Sequence, residues 1–190
     1  AEYDVRWRWL LHDLDVSFGL FPQTDFNGMT WATQEVTGRE WASIMFRSLL
    51  ANADFRNRFV NAASDHLNTT FQPSHIEALA NQLHERIAPY LGEHAERWRN
   101  TGDTSIAPII EFGDGRAWYV RQHVEAFFGL PATVTMSFSV SNPAQGYLQI
   151  NTVRIDSNTP GLPNPATPYP YQAPYYPNVP IKVTAHAIPG

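Results

Sequence analysis

The hydrophobic periodicity of this chain changes at Thr133. Upstream, apolar residues recur at the three- and four-residue intervals of amphipathic helices. Downstream, "TVTMSFSV", "GYLQIN" and "PIKVTAHAI" alternate polar and apolar residues, the pattern of strands with one face buried. Helices first and strands afterwards define an α+β chain, with about four helices before residue 128 and a β-rich segment over 133–190. Its 190 residues suffice for one domain with a single sizeable core, and no internal repeat is present.

The individual elements follow from local signals. "VRWRWLLH" at 5–12 alternates in the period of a strand with one face more deeply buried. Residues 20–36 carry turn-formers without periodicity and are expected to be a long loop. Thr37 with Glu40 forms a capping box, and Trp41, Ile44, Met45 and Leu49 predict a helix over 38–51. Asp54 is placed to cap a second helix with the stripe Phe55, Phe59, Ala63 and Leu67. Ser74 with Glu77 opens a third, whose inner face reads Ile76, Leu79, Ala80, Leu83 and Ile87, with Pro89 weakening or kinking it. A turn at Gly113-Asp114-Gly115 precedes a fourth over 114–128, which turns Val120, Val124 and Phe127 inward and stops at Gly129-Leu130-Pro131. The proline-dense stretch 160–180 reads as an extended connection lying on other structure, not a central strand.

Composition narrows the function. The chain is 43% hydrophobic and 13% aromatic, a folded and ring-rich composition. Its net charge of -5, with no basic block, argues against nucleic-acid and acidic-membrane partners. There is no cysteine, hence no disulfide, thiolate metal site or cysteine nucleophile. No apolar run approaches the roughly 20 residues of a membrane-spanning helix, so no membrane insertion is expected. The start "AEYDVRWRW" lacks a signal-peptide layout and enters a strand at once, as expected of a piece of a longer protein.

The chemistry concentrates in "HDLDVSFG". In an extended strand residues two apart share a side, so Asp13 and Asp15 would present both carboxylates together. A divalent cation relieves their repulsion, and hard oxygen donors suit Mg²⁺ holding phosphate groups. The other reading pairs one aspartate with Arg6 or Arg8 and lets the second cap a turn. His12 points the opposite way, and a packing role suits it better than ligation. His84 and His94 fall on helices without zinc-motif spacing. Neither a G-x-S-x-G elbow nor a phosphate loop of the G-x-x-x-x-G-K type occurs. In "GEHAERWRN", Arg97 can stack on Trp98 or pair with Glu96, and structural roles are expected there.

An ordered series of segments, "WRWLLHDLDVSFG", "SLLANADFRNRFVNAASDHLNTTF" at 48–71, "RIAPYLGEHAERW" at 86–98 and "VRQHVEAFFGL" at 120–130, resembles the CotH kinase family, atypical protein kinases named for a spore-coat protein and found in many surface or secreted bacterial proteins. The resemblance implies a protein-kinase-like helical C-lobe, an N-terminal strand followed by about four helices, with Phe55, Phe59, Phe71 and Trp98 in its core. It implies that residues 1–132 are the C-terminal part of the kinase domain. Asp15, just ahead of Phe18-Gly19, would do the work of a DFG aspartate, holding Mg²⁺ (or Mn²⁺) against ATP, with Asp13 a second metal and cofactor ligand. The γ-phosphoryl group would pass to a serine or threonine of a surface or coat protein. The nucleotide-gripping lobe and catalytic loop would lie upstream, so this chain alone is expected to be inactive.

The tail from Tyr169 onward resembles β segments that follow such domains in surface proteins, which leans the location to the cell surface or extracellular space. Three rivals stand beside this reading. One is a non-catalytic attachment module whose tyrosines over 169–176 stack on carbohydrate or on surface proteins. Another is a metal-dependent glycosyltransferase, which the helix-dense sequence after Asp15 fits poorly. The third is a scaffold in which both aspartates are salt-bridged.

Overall fold

The computed structural model describes residues 17–18, 23–34, 40–99 and 104–188. The strand expected at 5–12, Asp13, Asp15, His12 and Thr37 lie outside these. Among the described residues the fold is α+β, five helices followed by five strands: α1 Gly28–Thr33, α2 Glu40–Leu49, α3 Ala53–Asn68, α4 Pro73–Trp98, α5 Ala107–Phe128, β1 Val134–Phe138, β2 Gly146–Ile150, β3 Val153–Ile155, β4 Tyr171–Tyr175 and β5 Val183–Ala187.

Several local expectations need correction, each for a definite reason. The stretch expected to be a loop over 20–36 contains α1, a short helix that Asn27 caps by accepting from Thr30 N at 3.0 Å. Asn52, not Asp54, caps α3, accepting from Phe55 N at 3.0 Å; Asp54 sits in the first turn, where its charge suits the helix dipole. Pro73 occupies the first turn of α4 and sets its start by fixed φ, with Gln72 as N-cap, so Ser74 is already helical. Pro89 lies inside α4, as expected, and the helix continues to Trp98. The fourth predicted helix begins seven residues early, at Ala107, and Gly113-Asp114-Gly115 lies inside it. Its predicted stop holds: Gly129 adopts φ 62, and both Gly129 N and Leu130 N donate to the Glu125 carbonyl.

Gly113 is helical because of what it faces. A Cβ built there would lie 2.8 Å from Cγ2 of Ile76 and 3.2 Å from its Cβ, so α5 approaches α4 too closely for any side chain. Ile76 is buried and β-branched, and cannot swing aside cheaply. Gly113→Ala should therefore destabilise the chain by about 1–3 kcal/mol by overpacking, despite alanine's better helix propensity. Urea denaturation measures it; a variant as stable as the parent would show that the two helices can separate freely.

Two clusters of buried residues form the core. The helical one joins Met29, Val60 and Val124 to Tyr176 and Val179 from the C-terminal segment, with Phe46, Phe59, Val120 and Phe128 packed around it. The other lies among the strands and holds Ile150, Ile155, Tyr171, Ala173 and Tyr175. Phe46 reaches the core where Ile44 and Met45 stay exposed, and Phe128 does so where Phe127 stays exposed. Leu79, Leu83 and Ile87 were expected on the inner face of their helix but are exposed, as is Phe71. The reason is that α4 meets α5 around Ile76 and Gly113, and the rest of its stripe borders an open groove with Ile106 and Ile109. Trp98 is 66% exposed and is not a core residue.

The strands form two antiparallel sheets, β1 with β4 and β3-β2-β5. The stretch 160–180 thus contains a strand, β4, and not merely a connection. In a two-stranded sheet Pro174 can lack its N–H without breaking a central ladder. Its register sets Thr135 opposite Pro174 and Phe138 opposite Tyr171. Along β4 the buried side chains are Tyr171, Ala173 and Tyr175, one face of a period-two strand.

Candidate functional site

The described chain resumes two residues after Asp15, at Ser17 and Phe18. Phe18 has φ 52, in the left-handed region that bulky residues rarely occupy. Its ring meets Phe112 of α5 edge-on, with centroids 5.9 Å apart. One helical turn further along the same face of α5 stands Arg116, whose guanidinium carbon lies 5.8 Å from the Phe112 ring centre. Arg116 Nη1 donates to two main-chain carbonyls, Thr24 O at 2.8 Å and Phe26 O at 2.7 Å. Between these residues Gly115 lets the loop come close: a Cβ there would lie 2.9 Å from Thr24 Cγ2.

The electrostatics follow from this packing. Burial lowers the Arg116 pKa, and the nearby charge of Asp25 opposes the shift; a guanidinium nonetheless stays protonated. His123, two turns on, is pushed below the usual histidine range by burial and then by the positive charge of Arg116, with Asp25 opposing.

An apolar cavity of about 620 Å³ opens beside the loop, walled by Phe18, Phe59, Leu67, Phe71, Phe112 and Arg116. A neighbouring groove of about 350 Å³ shares Phe18, Phe71 and Ile76 and continues along α4. Among the described residues these walls include Arg116, His66, His75 and His84 but no carboxylate. Among the described residues there is no group of three or more His, Cys, Asp or Glu side chains that could hold a metal ion.

A separate polar site joins α3 to the strands. Asp65 is 0% exposed. Its Oδ1 accepts from the Tyr175 hydroxyl at 2.9 Å and from Asn151 Nδ2 at 3.0 Å, and its Oδ2 from the Thr152 hydroxyl at 3.4 Å. On the same helix Asn61 Nδ2 donates to Pro180 O at 2.7 Å and Asn68 Nδ2 to Pro174 O at 2.9 Å. Burial raises the Asp65 pKa above the usual carboxylate range, and these hydrogen bonds pull it back. A cavity of about 700 Å³ adjoins it, with Arg58 and Lys182 among its walls. Asn61, Asp65 and Asn68 of α3 are thus all engaged with the C-terminal segment, which makes this a seam between two parts of the fold.

Neither Arg116 nor Asp65 was singled out from the sequence. Their partners lie 92 and 110 residues away, and no local signal marks such contacts. The Arg97–Trp98 stack is present at 5.6 Å. Of the tyrosines over 169–176, Tyr171, Tyr175 and Tyr176 are buried and their rings fill the two clusters, while Tyr169 is half-buried beside the second.

The molecule is thus an α+β protein in which helix α5 holds Phe18, Thr24 and Phe26, residues downstream of an Asp-x-Asp sequence. The family model for CotH kinase protein matches residues 2–120, more than half of the 190 residues, and the chain belongs to the CotH kinase family, with the kinase-related function that membership carries. No curated protein and no solved structure matches it.

Proposed function

We propose that this chain is part of an atypical protein kinase that transfers the γ-phosphoryl group of ATP to serine or threonine hydroxyls of a surface or coat protein, and that Asp15 is the residue it contributes to the metal site. The observation that carries the reading is the family match over residues 2–120, a span that contains Asp13, Asp15 and the loop after them. Residues 1–132 are read as the C-terminal part of the kinase domain and 133–190 as its β-rich continuation, in a protein at the cell surface or outside the cell.

The donor set fits a hard divalent cation. Asp13 and Asp15 offer carboxylate oxygens and no softer ligand, which suits Mg²⁺ or Mn²⁺. When bound, such an ion neutralises charge on the phosphate oxygens of ATP. The chain's own part is to hold the two carboxylates in place, with Asp15 as the principal ligand and Asp13 as a second ligand or an orienting group. Further along the chain, Phe18 packs on Phe112 of α5, and Arg116 binds the carbonyls of Thr24 and Phe26.

The test uses the full-length protein with ATP and Mg²⁺ or Mn²⁺, comparing wild type with Asp15→Ala. Transfer to a protein acceptor should fall about a hundredfold, the loss typical of removing one group that stabilises charge in the transition state. Equal rates in the two proteins would remove Asp15 from the mechanism.

A further inference from the structure

We infer that the cleft between α3 and the β2–β3 turn binds an acidic peptide segment, clamped between Arg58 on one wall and Lys182 on the other. The inference is independent of the reading of Asp15.

The walls come from two distant parts of the chain. Asp54, Arg58, Asn61 and Asp65 follow one another at helical intervals along a single face of α3, and Asn151, Thr152, Pro180 and Lys182 complete a cavity of about 700 Å³. Hydrogen bonds hold the second wall in place. Asn151 N donates to Lys182 O at 2.7 Å, and Lys182 N donates to Asn151 Oδ1 at 3.0 Å. Asn61 and Asp65 tie the same wall to the helix through Pro180 and Asn151. The cleft is therefore set before any ligand arrives, which lowers the ordering cost of binding.

What remains unspent is positive charge. Arg58 and Lys182 are exposed, and among the described residues neither side chain makes an ion pair or a hydrogen bond. Asp65 is buried under three donors, which leaves Asp54 as the one exposed carboxylate against two cations. On a chain of net charge -5, a local excess of this sign selects anions. Other ligands fit less well. No aromatic ring lines the cleft for a sugar or a base to stack on, and its apolar walls are limited to Ala62 and Pro180. The half-buried Asn57 supplies an amide with both donor and acceptor, the pair that an extended backbone needs. The stripe from Asp54 to Asp65 runs about 16 Å, room for about five extended residues.

The experiment uses the 190-residue chain and a fluorescein-labelled, glutamate-rich peptide, with a glutamine-rich peptide of equal length as comparison, read by fluorescence anisotropy at low and high salt. Arg58→Gln and Lys182→Gln change exposed side chains, and the urea midpoint verifies that each variant is folded. Arg86→Gln, exposed on α4, is the charge control. Each cleft variant should bind the glutamate-rich peptide about fivefold more weakly, the upper end for an exposed pair, while Arg86→Gln binds as wild type. High salt should abolish binding. Lys182 is the chain's only lysine, so acetylation followed by mass mapping reads the same contact without mutation. The glutamate-rich peptide should slow that modification severalfold. Any one of five results overturns the inference: no binding of the glutamate-rich peptide, equal binding of the two peptides, wild-type affinity in both cleft variants, an equal loss in Arg86→Gln, or an unprotected Lys182.

Discussion

Cutting the chain after Ala132 is expected to abolish cooperative folding of the helical part. Tyr176 and Val179 belong to the same buried cluster as Met29, Val60 and Val124. Burying side chains of this size stabilises by about 1.5–3 kcal/mol each, so the two together supply about 3–6 kcal/mol. A domain of this size has only about 5–15 kcal/mol in total. The cut would also uncover the polar face of α3, whose Asn61, Asp65 and Asn68 are all engaged with residues beyond 150. Urea titration followed by circular dichroism should show one sharp transition for residues 1–190 and a broad, featureless decline for residues 1–132. A sharp transition at the same midpoint in both would show that the helices need nothing from the strands.

Asp65→Ala is expected to cost about 3 kcal/mol, because three donors from two other elements lose their acceptor together. The pH dependence carries a sharper signature. Burial makes the folded protein hold a proton on Asp65 more readily than the unfolded chain does. Stability contributed by that proton is complete below the ordinary carboxylate range and is lost as pH rises through the higher folded value. Relative to Asp65→Asn, which cannot titrate, the wild-type chain should therefore lose denaturation midpoint on going from about pH 4 towards neutrality. Midpoints that run parallel in the two proteins, or a wild type that gains with pH, would show that the hydrogen bonds outweigh burial at this carboxylate.

What could be read from the sequence was whatever is local or periodic. The stripes from Phe55 to Leu67 and around Ile76, and the stop at Gly129, are signals within a few turns of helix, and each marks a real element. The Gly-Asp-Gly sequence misled because its local preference is for a turn, whereas its meaning here is the closeness of Ile76 and Thr24 to α5. Leu79, Leu83 and Ile87 misled in the opposite way: the spacing gave the helix and its apolar face correctly, but periodicity does not say whether a partner covers that face. The anchor at Arg116 and the seam at Asp65 were invisible because each joins residues roughly a hundred positions apart. The resemblance to the CotH kinase family was legible from four segments of the sequence, and the family match over residues 2–120 bears out that family.

Tyr175 and Tyr176 are neighbours in sequence, yet one ring enters the cluster among the strands and the other the cluster among the helices. Successive side chains on extended backbone point to opposite sides, so the joint between the two clusters has no spare length. Adding or deleting one residue in β4 would exchange the destinations of the two phenols and carry the Asp65 contact with them. This dipeptide acts as a rivet whose spacing matters as much as its chemistry: the Tyr175 hydroxyl must reach Asp65 and the Tyr176 hydroxyl the Arg121 carbonyl, and a change in chain length would part both.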